Sequence, residues 1–423
     1  MGKVVIVGGG FGGIASAISA KKQGAEVVLL EKTDLLLGLG NVGGIMRNNG
    51  RFTAAEENIA LGASEIFEAA DKLAVHKGVD FPGHKHASFY DVNKMEPYVR
   101  NLLMGLGIEV RFQTRVVDVI KNGILEAVKT ADGKRIEGDA FVEATGSTGP
   151  MGNCTRYGNG CSMCVLRCPS FGPRVSLTEK VGLDDLMAIR SDGNKGALSG
   201  SCKLAKNSLS KKLQRKLAKD GYVVVPLPKE FVKREKLSQK VCQQYALDSY
   251  AENIILIDTG EAKLMSPYFD LASLRKIEGF EKVKFIDPYA GGKANSVRYM
   301  SVGIRDEYMR AKGQDNLFLA GEKSGFFVGH TEAITTGSLA GYNAARVLRG
   351  KEMLELPKEL AVGQLLYFSA KAMGDEDFLT RRFTFAGGEF FQRMKKKGLY
   401  LTEPKEIRKK VEELGLLNVY NKR

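Results

Sequence analysis

Runs of apolar residues alternate with glycine-rich turns and helical periodicity at the start of the chain, and the same alternation returns near residue 315. Lys3-Val4-Val5-Ile6-Val7 is a short continuous apolar run that predicts a strand buried on both faces. Ile14 to Gly24 has helical patterning, and Val27 to Leu30 predicts a second buried strand. Helical patterning continues to about residue 78, Phe81 to Tyr90 reads as a loop, and Asn93 to Gly107 reads as a helix leading into a strand over Glu109 to Phe112. Val116 to Ile120, Leu125 to Thr130 and Arg135 to Glu137, separated by Asn122-Gly123 and Asp132-Gly133, predict an antiparallel meander. Further strands are expected at Tyr222 to Val225, Asn253 to Asp258, Lys282 to Asp287 and Asp315 to Ala320, the last followed by Gly321 and Glu322. Helices are expected over Thr331 to Leu348 and, exposed to solvent, over Pro404 to Leu414.

Between the first strand and helix lies Gly8-Gly9-Gly10-Phe11-Gly12-Gly13, in which Gly8, Gly10 and Gly13 supply G-x-G-x-x-G. Such a turn lets backbone approach a pyrophosphate, and the following helix presents its N-terminal amides to it. Glu31, followed by Lys32, ends the second strand where a carboxylate can accept hydrogen bonds from a ribose diol. Strand, turn, helix and acid together predict dinucleotide binding. Gly43 and Gly44 lie in a second glycine-rich loop that can pass close to the ligand, and Val116, Thr145 and Gly146 bring the chain back to it.

At 423 residues the chain exceeds the size of one ordinary core, so more than one lobe is expected. The net charge of +14 is concentrated: residues 201–240 carry twelve Lys or Arg against Asp220, Glu230 and Glu235. That patch suits RNA, an acidic electron carrier, or plain solvation. No secretion-type leader and no apolar run of spanning length are seen, so the expectation is a soluble, cytoplasmic protein without a membrane partner. A dimer is compatible with the sequence, which leaves the oligomeric state open.

Four of the six cysteines, Cys154, Cys161, Cys164 and Cys168, fall within fifteen residues as C-x6-C-x2-C-x3-C-P. Three chemistries fit that spacing. The four thiolates could hold an iron–sulfur cluster; Cys161 and Cys164 could form a redox pair, with Cys168 beside them; or the cysteines could be structural or bind zinc. Arg167 and Arg174 would favour a thiolate. His84 and His86 form an i, i+2 pair without other ligands at metal spacing, so both are expected as polar side chains facing solvent.

The N-terminal turn with Glu31, Ala144-Thr145-Gly146, and Leu317-Phe318-Leu319-Ala320-Gly321-Glu322 together resemble the glutathione-reductase-type FAD flavoproteins. More narrowly, the stretch from Asn316 to Glu322, then Gly329-His330-Thr331-Glu332-Ala333 and Ala340-Gly341-Tyr342-Asn343-Ala344-Ala345-Arg346 resemble the C-terminal flavin motif of the GidA/TrmFO family. Cys168-Pro169-Ser170 also resembles a GidA element. The resemblance is concentrated in residues 1–50 and 310–350, and Glu322 stands where the family usually has Gln.

The resemblance implies an α/β fold: a Rossmann-like FAD-binding domain built from both chain ends (1–150 and 301–350), an inserted mixed α/β domain (151–300) and a C-terminal helical segment (351–423). It implies FAD as cofactor, with Gly8, Gly10, Gly12, Gly13, Glu31, Lys32, Gly43, Gly44, Val116, Thr145, Gly146, Gly321, Glu322, Gly329 and Thr331 around it. The helix beginning near Thr331 would face the flavin, with His330 as proton donor or flavin contact. The expected activity is an FAD-dependent oxidoreductase exchanging electrons with a small-molecule or thiol substrate or a carrier, through Cys161, Cys164 and Cys168. Two alternatives stand beside it. One is an RNA uridine methyltransferase using FAD and a reduced folate; the other is a flavin-stabilised RNA-binding or assembly protein without turnover.

Overall fold

The computed structural model describes residues 2–147, 168–198, 202–265, 269–286 and 297–422. Its centre is a five-stranded parallel sheet in the order Leu317–Leu319, Ala140–Glu143, Lys3–Val7, Glu26–Leu30 and Glu109–Arg111. Val5 pairs with Phe141 on one side and Val28 on the other, which puts the first strand in the middle. The apolar run is continuous because both faces are covered. Val4 and Ile6 point into the large helical core with Ile14, Ile18 and Leu339, while Val5 and Val7 meet Leu125, Val128 and Ile136 of the meander. That meander forms as the sequence predicts, from Val116–Asn122, Ile124–Thr130 and Arg135–Glu137.

Two helices from opposite ends of the chain, Phe11–Lys22 and His330–Val347, lie against each other on the helical face of the sheet. Their backbones approach so closely that a Cβ at Gly337 would strike the Gly12 carbonyl oxygen, and one at Gly341 the Ser16 carbonyl oxygen. The Ser16 hydroxyl lies 2.9 Å from the Gly337 carbonyl oxygen.

The start of the later helix is held by a buried ion pair. The Arg51 side chain, on helix Gly50–Leu61, donates from Nε to both Glu332 oxygens at 3.1 Å. Glu332 also accepts from the Thr384 hydroxyl and the Phe385 amide, so the C-terminal stretch is tied to the same point. Residues 351–422 therefore share the main core through Leu360, Leu365, Phe390 and Met394. The terminal helix Pro404–Glu413, expected to be solvent-exposed, buries Ile407 and Val411.

The inserted lobe is an antiparallel sheet in the order Cys202–Leu204, Ala262–Leu264, Asn253–Asp258, Tyr222–Pro226. Helix Lys211–Asp220 covers it with Leu213 and Leu217 and leaves its basic residues outside. Two expectations are corrected. Lys282 to Asp287 is not a strand among the described residues and contributes one bridge, Leu204 to Phe285, because Phe280 and Val283 turn into the lobe's core. The helix expected to about residue 78 ends at Lys72, and Ala74–Phe81 pairs with His84–Tyr90 around a Pro82-Gly83 turn where loop was expected. Phe81, Ala87 and Phe89 bury one face of that hairpin. Among the described residues no helix is long and apolar enough to cross a membrane.

Glu57 is 1 % exposed and accepts hydrogen bonds at 2.9 Å from the Ala361 and Val362 amides, at the start of helix Ala361–Ala372. Burial outweighs those two bonds and pushes its carboxyl up to about 7. A carboxyl raised in the folded state stabilises the fold at low pH and loses that contribution as pH rises towards 7, here about 3 kcal/mol. Between pH 5 and pH 8 the unfolding free energy of the wild type should fall by about that much more than that of Glu57→Gln. Urea unfolding at the two pH values measures the difference, and parallel pH profiles would contradict it.

Candidate functional site

The Gly8 to Gly13 turn closes the first strand and opens helix Phe11–Lys22. The Gly8 amide donates to the Leu30 carbonyl at 2.8 Å, and a Cβ on Gly13 would collide with the Gly8 carbonyl oxygen. Gly10 differs: a Cβ there would meet nothing within 4 Å, because this residue faces a cavity. The helix's unpaired N-terminal amides open onto the same space, the arrangement that suits a pyrophosphate.

That cavity, of about 390 Å³, runs from the second strand across the glycine turn into the inserted lobe. At its first end lie Glu31, Lys32 and Val116. Glu31 accepts hydrogen bonds at 2.8 Å from the Gly9 amide on one oxygen and the Thr33 amide on the other. It therefore shapes the turn as well as facing the cavity, and each oxygen keeps a lone pair for a ribose hydroxyl. Lys32 donates to the Gly172 carbonyl at 3.2 Å.

Thr145 and Gly146 form the next part of the wall. Arg174, expected to favour a cysteine thiolate, donates to the Thr145 hydroxyl at 3.0 Å and to the Gly146 carbonyl at 2.9 Å. Below it is a buried charged cluster in which Lys323 contacts Asp185, reaches Glu143 at 3.6 Å and donates to the Ser176 hydroxyl at 2.9 Å. This cluster joins the sheet strand Ala140–Glu143 to the turn that follows Leu317–Leu319.

Gly12, Gly43, Gly321, Glu322, Gly329 and His330 continue the wall. Gly13, Gly44 and Thr331 stand behind it: Gly13 packs on Gly8, Gly44 turns against Thr259, and Thr331 is fully buried. Glu322, expected at a ribityl chain, is already engaged by Arg298 at 2.7 Å and the Ser147 hydroxyl at 2.8 Å. His330 packs 4.8 Å from the Phe11 ring and against Gly43. Burial, reinforced by Arg51, Lys263 and Arg298, holds it well below the usual imidazole range. Its charged form is thereby disfavoured, and its place against Phe11 and Gly43 is that of a contact group on the wall.

Lys203, Lys240, Cys242, Gln244, Tyr245, Lys263 and Arg298 complete the far end. Lys203 and Lys240 belong to the basic stretch 201–240 read as a patch for RNA, of which Lys240 is buried, and the other five were not singled out by the sequence. The available signal was a lysine inside the apolar stretch Ala262-Lys263-Leu264-Met265. Burial pushes Lys240 and Lys263 down to about 8. Cys202, outside the cavity, is buried with its thiol pushed up to about 12.

Cys154, Cys161 and Cys164 lie outside the described residues, and the backbone of Cys168 begins the short helix Cys168–Phe171. Both flanks of that segment, Ser147 before it and Pro173 with Arg174 after it, line the cavity. Among the described residues no group of His, Cys, Asp and Glu is arranged to hold a metal. His84 is buried between the Phe81 and Tyr245 rings, with burial lowering its imidazole to about 3, so it is a core residue and not the solvent-facing group expected.

A parallel sheet with this turn, acid and cavity defines a Rossmann-like, dinucleotide-binding class of fold, here with an inserted second lobe. The family model for glucose inhibited division protein A matches residues 3–269 and 268–352, and the chain belongs to that family. Methylenetetrahydrofolate–tRNA-(uracil-5-)-methyltransferase TrmFO of Enterococcus faecalis is 33% identical over 139 residues, 33% of this chain and 28% of that enzyme. The TrmFO of Streptococcus gordonii is 37% identical over 97 residues, 23% of this chain and 21% of that enzyme. The matched regions thus span about a quarter of those relatives' lengths. GidA of Aquifex aeolicus superposes with a TM-score of 0.68 at 17% identity, over 99% of this chain and 74% of that one, which shows a shared fold.

Two substitutions separate folding from binding in the glycine turn. Gly13→Ala should lower stability by about 1–3 kcal/mol or more, because neither backbone can give way. Gly10→Ala, at φ −74° and facing open space, should unfold within about 0.5 kcal/mol of the wild type while filling the cradle. Thermal unfolding of the two apoproteins measures this, and equal losses would contradict the assignment.

Proposed function

We propose that this chain binds FAD in the cavity and uses it, with a reduced folate, to methylate uridine in RNA. The observation that carries the reading is one continuous cavity, running from a pyrophosphate cradle to a cation-rich chamber in the inserted lobe. A dinucleotide fits the first part: Glu31 faces the ribose position, Gly10 leaves room for phosphates, and the long helix His330–Val347 directs its positive end at the cavity beyond. When bound, the flavin supplies two electrons and two hydrogens. With a methylene group from methylenetetrahydrofolate, these replace the uracil C5–H by a C5 methyl and return tetrahydrofolate and oxidised FAD.

The protein's own residues exclude water and orient the ligands. The chamber draws on both lobes, so a second substrate would lie beside the dinucleotide, against Lys203 and Cys242. RNA is supported by helix Lys211–Asp220, whose Lys211, Lys212, Arg215, Lys216 and Lys219 are all exposed while Leu213 and Leu217 anchor it. The TrmFO names of the relatives favour this reaction over a general flavin oxidoreductase.

A second reading retains the cysteines. Ser147, just before the segment that holds Cys154, Cys161 and Cys164, and Pro173 and Arg174, a few residues after it, line the cavity, which favours thiols or a cluster exchanging electrons with the flavin. Iron and sulfide analysis of anaerobically purified protein, with alkylation of the thiols, tests it directly.

For the first reading, FAD-loaded protein with chemically reduced flavin, given labelled methylenetetrahydrofolate and a tRNA transcript, should place the label in 5-methyluridine. Flavin-loaded protein that leaves the RNA unlabelled would overturn it. Replacing Lys211, Lys212, Arg215 and Lys216 by Ala should weaken RNA binding and make its salt dependence shallower. The slope of log K against log salt should fall by about 0.7 to 0.9 for each phosphate that the variant no longer neutralises.

A further inference from the structure

The cavity's cations divide into those with a carboxylate partner and those without. Arg298 is paired with Glu322 at 2.7 Å, and Arg51 with Glu332 at 3.1 Å. Lys240 and Lys263 are as deeply buried, each 6 % exposed, yet among the described residues neither forms an ion pair. Lys240 donates to the Tyr245 carbonyl at 3.0 Å, with its ammonium 5.0 Å from the centre of the Tyr250 ring. Lys263 donates to the Val42 carbonyl, across the boundary between the lobes.

Neutral carbonyls do not replace a counter-ion. An ammonium withdrawn from water without an opposing charge costs several kcal/mol, and a chain keeps one at such a place when something else brings the negative charge. Lys263 holds an unusual position for that purpose. It sits mid-strand between Ala262 and Leu264, both buried, and its partner Val42 precedes Gly43, which packs on His330. Val42, Gly43 and His330 thus set Lys263 in the part of the cavity that the inserted lobe lines, next to Phe11 after the glycine turn. A dinucleotide with its ribose at Glu31 and its pyrophosphate at Gly10 has its second ring system directed here.

We infer that Lys263, seconded by Lys240, is the counter-charge for reduced flavin, stabilising the negative charge that two-electron reduction leaves on the pyrimidine side of the ring. The inference rests on the FAD reading above. Both lysines lie on the inserted lobe and the glycine turn on the other, so the inserted lobe sets the electron affinity of a cofactor that the N-terminal turn holds. The N-terminus of helix His330–Val347 adds a smaller contribution of the same sign.

The test uses the full-length FAD-loaded protein and two readouts that need no turnover: the midpoint potential of the bound flavin, and the dissociation constant for sulfite, which adds to oxidised flavin more tightly when positive charge is near. Lys263→Met keeps the stem and removes the charge; Lys263→Arg keeps the charge. Lys263→Met should retain FAD, bind sulfite at least tenfold more weakly, and stabilise reduced flavin at least tenfold less, which is about 30 mV lower in potential. Lys263→Arg should stay within threefold of the wild type on both.

Should Lys263→Met not fold, Lys240→Met, which leaves the bond across the lobes intact, should move both readouts in the same direction by at least threefold. Flavin-loaded Lys263→Met or Lys240→Met with both readouts unchanged would overturn the inference and leave the FAD reading standing. Wild-type protein that binds no flavin would overturn both.

Discussion

The close contact between helices Phe11–Lys22 and His330–Val347 is the constraint on which the rest of the molecule depends. Residues more than three hundred positions apart pack with only hydrogen atoms between their backbones at Gly337 and Gly341. This contact places the turn of Gly8 to Gly13 beside Gly321, and so makes one domain out of two ends of the chain. The strands follow the same logic. Lys3–Val7 has Glu26–Leu30 on one side and Ala140–Glu143, more than a hundred residues further along the chain, on the other, with Leu317–Leu319 beyond it. A cavity wall drawn from residues near 10, 145 and 321 is the result.

The buried ion pairs serve this geometry more than they serve stability, since desolvation offsets most of the attraction between buried charges. Arg51 with Glu332 fixes where the His330–Val347 helix begins and ties it to Thr384 and Phe385. Lys323 with Asp185 and Glu143 does the same for the turn beneath Thr145, and Arg298 with Glu322 joins the inserted lobe to the glycine-containing turn at Gly321. Each pair links segments distant in sequence at a point on the cavity wall or just behind it. A loose wall would not hold a ligand in one register.

The cavity is also polarised along its length. One part presents Glu31 beside Lys32, the carboxylate oxygens receiving backbone amides; the part lined by the inserted lobe presents Lys240, Lys263 and Arg298 with His330. Low dielectric makes that difference larger than the same charges would produce at the surface. At His330 the cations around it and its own burial act in one direction, against the charged form. Burial also separates two kinds of basic residue in this chain. The exposed face of Lys211–Asp220 is screened by salt, whereas Lys240 and Lys263 are not.

How much of this was legible in the sequence depends on the range of the interaction. The strand–turn–helix of Lys3 to Lys22, the acid at Glu31, the meander and the small-residue helix after Gly329 are local patterns, and each formed within a few residues of its predicted bounds. Local pattern failed where burial was decided elsewhere. The hairpin of Ala74–Phe81 and His84–Tyr90 became a sheet because the inserted lobe's Tyr245, Tyr250 and Ile257 cover its inner face, and His84 went inside with it. The sequence by itself determined that a strand–turn–helix cradle exists and which glycines build it, since a tight turn imposes its residue types on neighbours in the chain. Only the tertiary structure decided that Lys263, Lys240, Arg298 and Cys242 face that cradle. Pairings such as Lys263 with Val42 leave no periodicity and no spacing to read, because nothing but the folded path brings their atoms together.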